Sequence, residues 1–136
     1  MKNGKHLIID AYGCNRNLLW DVRGIEAMLL DITEMIGLKP LSDVLIYEVD
    51  ETMIELKDTG VTGGIIFMES HFTFHAFPEQ NYFSADIYSC KDFDHQDVID
   101  YISEMYEPQE LKETVILRGT RNLRLLKQWQ GYHIVG

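Results

Sequence analysis

The chain has 136 residues, of which 46% are hydrophobic and 25% are charged, a composition typical of one globular domain. Its formal net charge is −10, and so acidic a surface repels phosphate backbones, which argues against nucleic acid as a partner. The longest uncharged apolar stretch, residues 61–68, is too short to cross a bilayer, and the N-terminus lacks the pattern of a secretory signal. We therefore expect no membrane association and a cytoplasmic protein with two free cysteines.

Hydrophobic periodicity predicts the elements in the first half of the chain. A strand is predicted over residues 5–12, and a helix over residues 21–36, where apolar residues recur every three or four positions. Gly37 directly after this segment is typical of a helix C-terminus. A second strand is predicted within residues 43–49, followed by a polar loop or hairpin over residues 50–60.

The second half of the chain begins with three segments rich in aromatic and β-branched residues, 62–68, 71–77 and 82–89, which we predict to be strands. A second helix over residues 96–106 and a strand over residues 114–117 follow. This order, with short connections between the middle strands, predicts a single α+β domain. We expect a two-layer α/β sandwich in which an antiparallel sheet carries its helices on one face.

Reactive side chains concentrate around a serine and two histidines, Ser70, His71 and His75, with Cys90 further along the chain. His71, His75 and Cys90 are potential ligands of a metal ion. A serine or a cysteine near a histidine is also the pattern of a nucleophilic catalytic site. A third interpretation is an amphipathic strand with exposed histidines and a buried cysteine. The residues alone leave these three interpretations open.

Four motifs occur in order along the chain. Residues 4–14 have the form G-x-H-L-I-x-D-x-Y-G-C, and residues 60–63 have the form G-V-[ST]-G. Residues 69–79 contain E-S-H-x-x-x-H-x-x-P-E, and residues 85–90 have the form [AV]-D-[VIL]-[FY]-[ST]-C. Together they resemble the prokaryotic S-adenosylmethionine decarboxylases, which are pyruvoyl-dependent proenzymes. The resemblance extends over about residues 4–119.

This resemblance implies a self-cleaving enzyme. The peptide bond between Glu69 and Ser70 is expected to break, which leaves residues 1–69 as the β chain and residues 70–136 as the α chain. Ser70 is expected to become a covalent pyruvoyl group that forms a Schiff base with the substrate amine. Neither a metal ion nor pyridoxal phosphate is expected.

The resemblance also assigns the groups that move protons. His75 corresponds to the processing histidine, assisted by Thr62, and Cys90 corresponds to the proton donor of decarboxylation. Ser70 and His75 are five residues apart, so on one regular strand they point to opposite faces. We therefore expect a bulge or a sharp turn at Ser70 that brings the two side chains together.

The substrate implied by the resemblance is S-adenosylmethionine, decarboxylated for polyamine and spermidine biosynthesis by a homodimer of processed αβ units. Glu79 corresponds to the carboxylate that accepts hydrogen bonds from the ribose. Phe77 replaces a usual tryptophan, and Leu56 stands where an aromatic residue often stacks on adenine. Because these binding positions are altered, two alternatives stay open, namely decarboxylation of ornithine or arginine by the same pyruvoyl group, and a non-catalytic relative.

Overall fold

The described part of the chain, residues 4–119 and 128–134 of a computed structural model, is built around one antiparallel β-sheet. The strand order is β2-β4-β5-β6-β1-β7-β8, and β3 also pairs with β4. In chain order the elements of this part are β1 (Gly4–Tyr12), α1 (Arg16–Leu19), α2 (Val22–Met35), β2 (Lys39–Pro40), β3 (Leu45–Val49), β4 (Gly60–Met68), β5 (Ser70–Phe77), β6 (Tyr82–Ser89), α3 (His95–Tyr106), β7 (Glu110–Arg118) and β8 (Gln128–Ile134). Single 3₁₀ turns lie at Leu56–Asp58 and Pro78–Gln80.

Strand periodicity gives the sheet one buried face. In β1 the side chains of Leu7, Ile9 and Ala11 are fully buried, whereas the residues between them are only partly buried. Strands β5 and β6 show the same alternation. Because side chains on a strand point alternately to the two faces, the apolar sets of neighbouring strands in register combine into one core layer.

The helices cover this buried face. A side chain at Gly63 on β4 would lie 3.2 Å from Leu29 of α2. Phe74 is the cross-strand partner of Gly63, and its ring stacks on Tyr106 of α3 with 5.3 Å between centroids. Since cross-strand partners share a face, α2 and α3 lie on the same side of the sheet. The predicted α/β sandwich, with an antiparallel sheet and helices on one face, is confirmed.

The ends of the two long helices agree with the sequence prediction. Asp21 caps α2 by accepting a hydrogen bond from the Gly24 N–H at 3.0 Å, and Gly37 after the helix has φ of 76°. Asp94 caps α3 by accepting hydrogen bonds from the N–H groups of the first turn. Such caps satisfy N–H groups that have no partner within the helix, and this is why the two helices start where they do.

Three elements were not predicted, namely α1, β2 and β8. Helix α1 has four residues and β2 has two, too few for a hydrophobic period to be recognised. Strand β7 is also longer than predicted, because its first half, residues 110–113, is mostly polar but pairs with β1 from Tyr12 to Ile9. Residues 120–127, 135 and 136 lie outside the described residues. No helix in the described part is long and apolar enough to span a bilayer.

The face of the sheet that carries no helix is called the open face below. Thr62, His75, Ser84 and Asp10 form one cross-strand row on it, on β4, β5, β6 and β1. Towards the edge of the sheet, the open face also carries exposed apolar side chains on β3 and β4, namely Leu45, Tyr47, Ile66 and Met68. The predicted site residues lie on this face or at the strand ends beside it.

Candidate active site

The predicted cleavage point lies in the turn between β4 and β5. Strand β4 ends at Met68 and β5 begins at Ser70, so Glu69 is the single connecting residue. Ser70 has φ of 138°, a value that residues other than glycine rarely adopt. Backbone in such a region costs on the order of 1–3 kcal/mol and persists because the surrounding structure holds it. Here the pairing of Ser70 with Phe67 and with Ser89 provides that restraint.

Cys90 contacts both residues of the predicted scissile bond. Its Sγ lies 3.8 Å from the Ser70 Oγ, and its backbone N–H donates to the Glu69 carbonyl oxygen at 3.4 Å. A donor aimed at this oxygen stabilises the negative charge that develops there if the carbonyl is attacked. The buried Ser89 hydroxyl accepts a hydrogen bond from the Lys91 N–H at 3.0 Å and so fixes the chain on either side of Cys90. We call Glu69, Ser70 and Cys90 the cleavage cluster.

Tyr88 connects the cleavage cluster to the open face. Its hydroxyl lies 4.0 Å from the Cys90 Sγ, and the Arg118 guanidinium lies 4.4 Å from the centre of its ring. Burial and then the hydrogen bond with Cys90 raise the pKa of Tyr88, so the phenol is protonated at neutral pH. The ring also covers Gly4, where a Cβ would come within 2.5 Å of the Tyr88 oxygen. The glycine that opens the first motif therefore makes room for a residue beside the cleavage cluster.

Thr62 and His75 form a second pair, which we call the histidine cluster. They are cross-strand partners on β4 and β5, and the Thr62 Oγ1 lies 3.3 Å from the His75 Nδ1. Gly60 at the start of β4 allows the two strands to approach, because a Cβ there would lie 1.8 Å from the Ala76 carbonyl oxygen. A hydroxyl bonded to one ring nitrogen orients the imidazole and leaves the other nitrogen available for proton transfer.

The expectation that Ser70 and His75 meet within one chain is wrong. The register from Ser70 opposite Ser89 to Phe77 opposite Tyr82 is unbroken, so β5 contains no bulge. Five residues of regular strand separate the two positions by about 16 Å. The unusual φ of Ser70 shapes the turn at Glu69 and does not fold β5 back on itself. One chain therefore presents the cleavage cluster and the histidine cluster at opposite ends of the same strand.

The metal-site interpretation is not supported in the part of the chain that the structure describes. His71, His75 and Cys90 do not come together, and no group of three or more potential ligands occurs among the described residues. His71 instead lies beside Tyr88, with 6.0 Å between ring centroids. Partial burial, and then the neighbouring His6, lower the pKa of His71.

A pocket of about 220 Å³ brings two of the three predicted substrate-binding residues together. Leu56 and Glu79 line it with Trp20, Asp50, Glu51 and Thr59. Phe77 does not belong to this lining, and its ring stacks on Tyr82 with 5.6 Å between centroids. The Glu79 carboxylate lies 3.7 Å from the Arg16 guanidinium of α1.

Arg16 and Trp20 were missed by sequence reasoning. They belong to a segment that is too short to show a period, and neither residue is part of a motif. The only local signal is Asn15, whose side chain caps α1 by accepting a hydrogen bond from the Asn17 N–H at 3.0 Å. That signal indicates a helix start but does not indicate that Trp20 lines a pocket or that Arg16 lies beside Glu79.

Comparisons with known proteins agree with this geometry. The sequence model of the family described as S-adenosylmethionine decarboxylase matches residues 5–119. The S-adenosylmethionine decarboxylase proenzyme of Geobacillus kaustophilus is 32% identical over 124 residues, which are 91% of this chain and 94% of that protein. The proenzyme of the same name from Clostridium botulinum is 32% identical over 120 residues, covering 86% of this chain and 95% of that one.

Solved structures show the same fold. The crystal structure of the adenosylmethionine decarboxylase from Aquifex aeolicus superposes with a TM-score of 0.74 at 25% identity, covering 90% of this chain and 97% of that one. The AdoMetDC monomer of Trypanosoma brucei superposes with a TM-score of 0.55 at 16% identity, over 82% of this chain and 45% of that one, and shows a likeness of fold. On the match to the family model and to these relatives, the chain belongs to the S-adenosylmethionine decarboxylase family.

Proposed function

We propose that this chain is a proenzyme that cuts itself between Glu69 and Ser70 and then decarboxylates S-adenosylmethionine. The observation that carries the proposal is the geometry of the cleavage cluster. Cys90 lies 3.8 Å from the Ser70 hydroxyl through its thiol, and it faces the Glu69 carbonyl through its N–H. The substrate is inferred from the chain's membership of the family, because the relatives described above are named S-adenosylmethionine decarboxylase proenzyme.

Cleavage begins with attack of the Ser70 hydroxyl on the Glu69 carbonyl carbon. The hydroxyl loses its proton, the amide nitrogen gains one, and the amide becomes an ester. The Cys90 N–H stabilises the oxyanion formed on the way. Loss of the Cα proton of residue 70 then breaks its Cβ–Oγ bond, which releases the Glu69 carboxylate and leaves a dehydroalanine at position 70. The dehydroalanine amine rearranges to an imine, water adds to its Cα, the nitrogen leaves as ammonia, and position 70 then carries a pyruvoyl group.

The residues around position 70 suit such a group. A pyruvoyl carbonyl supplies an electron sink for the pair of electrons left when carbon dioxide departs. The Cys90 thiol lies 3.8 Å from the Ser70 Oγ, so it is near enough to this position to return a proton to a substrate bound there. The Tyr88 hydroxyl lies 4.0 Å from the same thiol.

We further propose that the enzyme is a homodimer in which each site is completed by the partner. The histidine cluster lies about 16 Å from the cleavage cluster of its own chain, which is too far for proton transfer. A two-fold axis places the same surface of two chains against each other. In the proposed dimer, the cleavage cluster of each chain meets the histidine cluster of its partner. The open face suits this contact, since it carries two exposed apolar side chains, Tyr47 on β3 and Ile66 on β4. Apolar patches of this kind mark protein interfaces.

The binding pocket fits the same substrate. Glu79 lies at its wall, where a carboxylate can accept hydrogen bonds from two neighbouring ribose hydroxyls. The acidic lining also attracts the cationic sulfonium. Ornithine and arginine are not favoured, because the family and its named relatives are S-adenosylmethionine decarboxylases.

We propose the cytoplasm as the location of the enzyme and polyamine synthesis as the use of its product. The free thiols of Cys14 and Cys90 suit that reducing compartment.

The proposal is tested by intact mass and by turnover. Purified protein should separate into chains of 69 and 67 residues, the second with a ketone at its N-terminus, and should release carbon dioxide from S-adenosylmethionine. Ornithine and arginine, given to the same preparation, should release none. A single uncut species with an ordinary serine at position 70, after long incubation, contradicts the proposal. Ser70→Ala is the control, and it should remain uncut because no hydroxyl is left to attack.

A further inference from the structure

Trp20 is the aromatic residue among the six described residues that line the pocket beside Glu79. We propose that its indole is the surface on which the purine ring of the substrate stacks, and that the pocket selects a nucleoside without phosphate. This inference rests on the proposed function in one respect, which is that the substrate contains a nucleoside.

The backbone holds Trp20 in a fixed position. Its N–H donates to the Arg16 carbonyl at 3.2 Å and so closes the last turn of α1. The next residue, Asp21, caps α2 through Gly24 at 3.0 Å. Trp20 therefore occupies the corner between two helices, and its half-buried side chain packs against the core. A ring fixed before the ligand arrives loses little entropy on binding, which favours its use as a stacking platform.

The charged residues of the lining are all carboxylates, from Asp50, Glu51 and Glu79, and the Thr59 hydroxyl donates to the Leu56 carbonyl at 2.6 Å. Asp50 accepts hydrogen bonds from the Thr52 N–H at 3.0 Å and from its hydroxyl at 2.5 Å, and these bonds lower the pKa of Asp50. Carboxylates accept hydrogen bonds from an exocyclic amine and from ribose hydroxyls, and they repel phosphate. With three carboxylates against one neighbouring cation, Arg16 at 3.7 Å from Glu79, the pocket favours an uncharged or cationic nucleoside over a nucleotide.

The size of the pocket agrees with this assignment. Its volume of about 220 Å³ is below the roughly 300–1,000 Å³ of sites that enclose a whole drug-sized ligand. It therefore suits one part of the substrate, and the ring system is the part that an aromatic wall favours. Leu56 on the same lining is 60% exposed and offers an aliphatic contact, but it lacks the ring face that stacking needs. Within this lining, Trp20 is the residue that provides such a face.

Binding can be measured on Trp20 itself. The chain has two tryptophans, so Trp129→Phe leaves Trp20 as the single indole. In this variant, adenosine and 5′-methylthioadenosine should quench the emission saturably, AMP should bind at least about tenfold more weakly, and ornithine should have no effect. Saturable binding of methylthioadenosine by calorimetry without a change in Trp20 emission overturns the inference. AMP binding as tight as adenosine binding, or no binding of either nucleoside, also overturns it.

Kinetics give a second measurement with a matched control. Trp20→Leu should raise KM for S-adenosylmethionine by about 5- to 100-fold, the range expected for loss of base–aromatic stacking, and should leave self-cleavage unchanged. Trp20→Phe should retain most of the affinity, and Leu56→Phe added to Trp20→Leu should restore part of it, because both positions line one pocket. Trp129→Leu, the same change on the edge strand β8, should leave KM unaltered.

The outcomes separate this inference from the proposed function. An unchanged KM in a Trp20→Leu enzyme that cleaves itself and turns over normally overturns the role of Trp20 and leaves the decarboxylase standing. Native protein that neither cuts itself nor acts on S-adenosylmethionine overturns the proposed function, and the fluorescence titration with adenosine then still decides whether Trp20 stacks on a purine. If Trp20→Leu does not fold, Trp20→Phe and the titration of the Trp129→Phe protein decide the question.

Discussion

The Cys90 thiol lies 3.8 Å from the Ser70 hydroxyl, while the N–H of the same residue donates to the Glu69 carbonyl at 3.4 Å. Two different atoms of one residue thus face the two residues of the proposed cleavage site, Glu69 and Ser70. Substitution of the side chain removes the thiol and keeps the N–H. The two roles of Cys90 in the proposed mechanism can therefore be separated experimentally.

We predict that Cys90→Ala cuts itself but decarboxylates poorly. The backbone donor to the Glu69 carbonyl is retained, so the two chains should still form. Without the thiol, turnover should fall by about 10²- to 10⁴-fold, the usual contribution of a general acid. Intact mass follows the first step and carbon dioxide release follows the second. Native turnover in Cys90→Ala shows that another group donates the proton.

We predict that a Ser70→Ala chain restores the cleavage of a His75→Ala chain. Ser70→Ala has no nucleophile, and His75→Ala lacks the imidazole that we propose acts on the partner. In a mixed dimer, the Ser70→Ala chain supplies an intact His75 to the uncut Ser70 of the other chain. Co-expression with different tags should therefore yield cut His75→Ala chains, which mass spectrometry detects.

The control for this complementation is each variant expressed alone. His75→Ala by itself should cut slowly, and Ser70→Ala should remain whole in every mixture. If His75→Ala cuts equally slowly with and without the second chain, the histidine acts within its own chain and the proposed dimer is wrong. Sedimentation of Ser70→Ala alone then reports whether a dimer forms at all.

We predict that the two cysteines differ in reactivity. Cys14 is 3% exposed, and burial raises the pKa of its thiol to about 12, so almost no thiolate is present at pH 8. Cys90 is half-buried and lies beside Ser70. A thiol reagent should therefore modify one cysteine in the native protein and two in denaturant. Cys90→Ala should be unreactive until it unfolds, and modification of Cys14 in native protein contradicts its place in the core.

We predict that His71 reduces stability in mild acid. Partial burial, and then His6, lower its pKa from the ordinary 6.5. As the pH falls through 6.5, the unfolded chain binds a proton that the folded chain does not, so the free energy of unfolding falls. Above that pH both states are neutral and the effect vanishes. Urea unfolding at several pH values should show a shallower acid slope for His71→Gln than for native sequence, both measured in uncut Ser70→Ala protein. Identical slopes contradict the pKa shift.

Most strands of the sheet could be predicted from the sequence because they are rich in aromatic and β-branched residues. Ile9 and Ala11 point into the core and Asp10 between them points to the open face, a period that the sequence displays directly. The end of α2 could also be predicted, since Gly37 acts through its own backbone conformation, with φ of 76°. Where local chemistry determines the structure, the prediction was correct.

The relation between Ser70 and His75 could not be predicted in the same way. It depends on whether β5 is regular, and the register with β6 that keeps it regular is a contact between distant residues. The place of Trp20 also depends on tertiary contact, since α1 and the 3₁₀ turns at Leu56–Asp58 and Pro78–Gln80 are separate in the chain but border one pocket. A single residue that belongs to no hydrophobic period does not indicate which distant segments it will contact.

The length of β5 has a consequence for how the enzyme matures. Ser70 and Phe77 are the two ends of this strand, so a folded monomer carries both clusters but cannot join them. If the partner supplies the histidine, the rate of maturation depends on encounter and not on folding. Below the dimer dissociation constant, cutting should follow second-order kinetics, and dilution should preserve intact chains. The cell would then hold a reserve of uncut protein whose conversion rises with its own concentration.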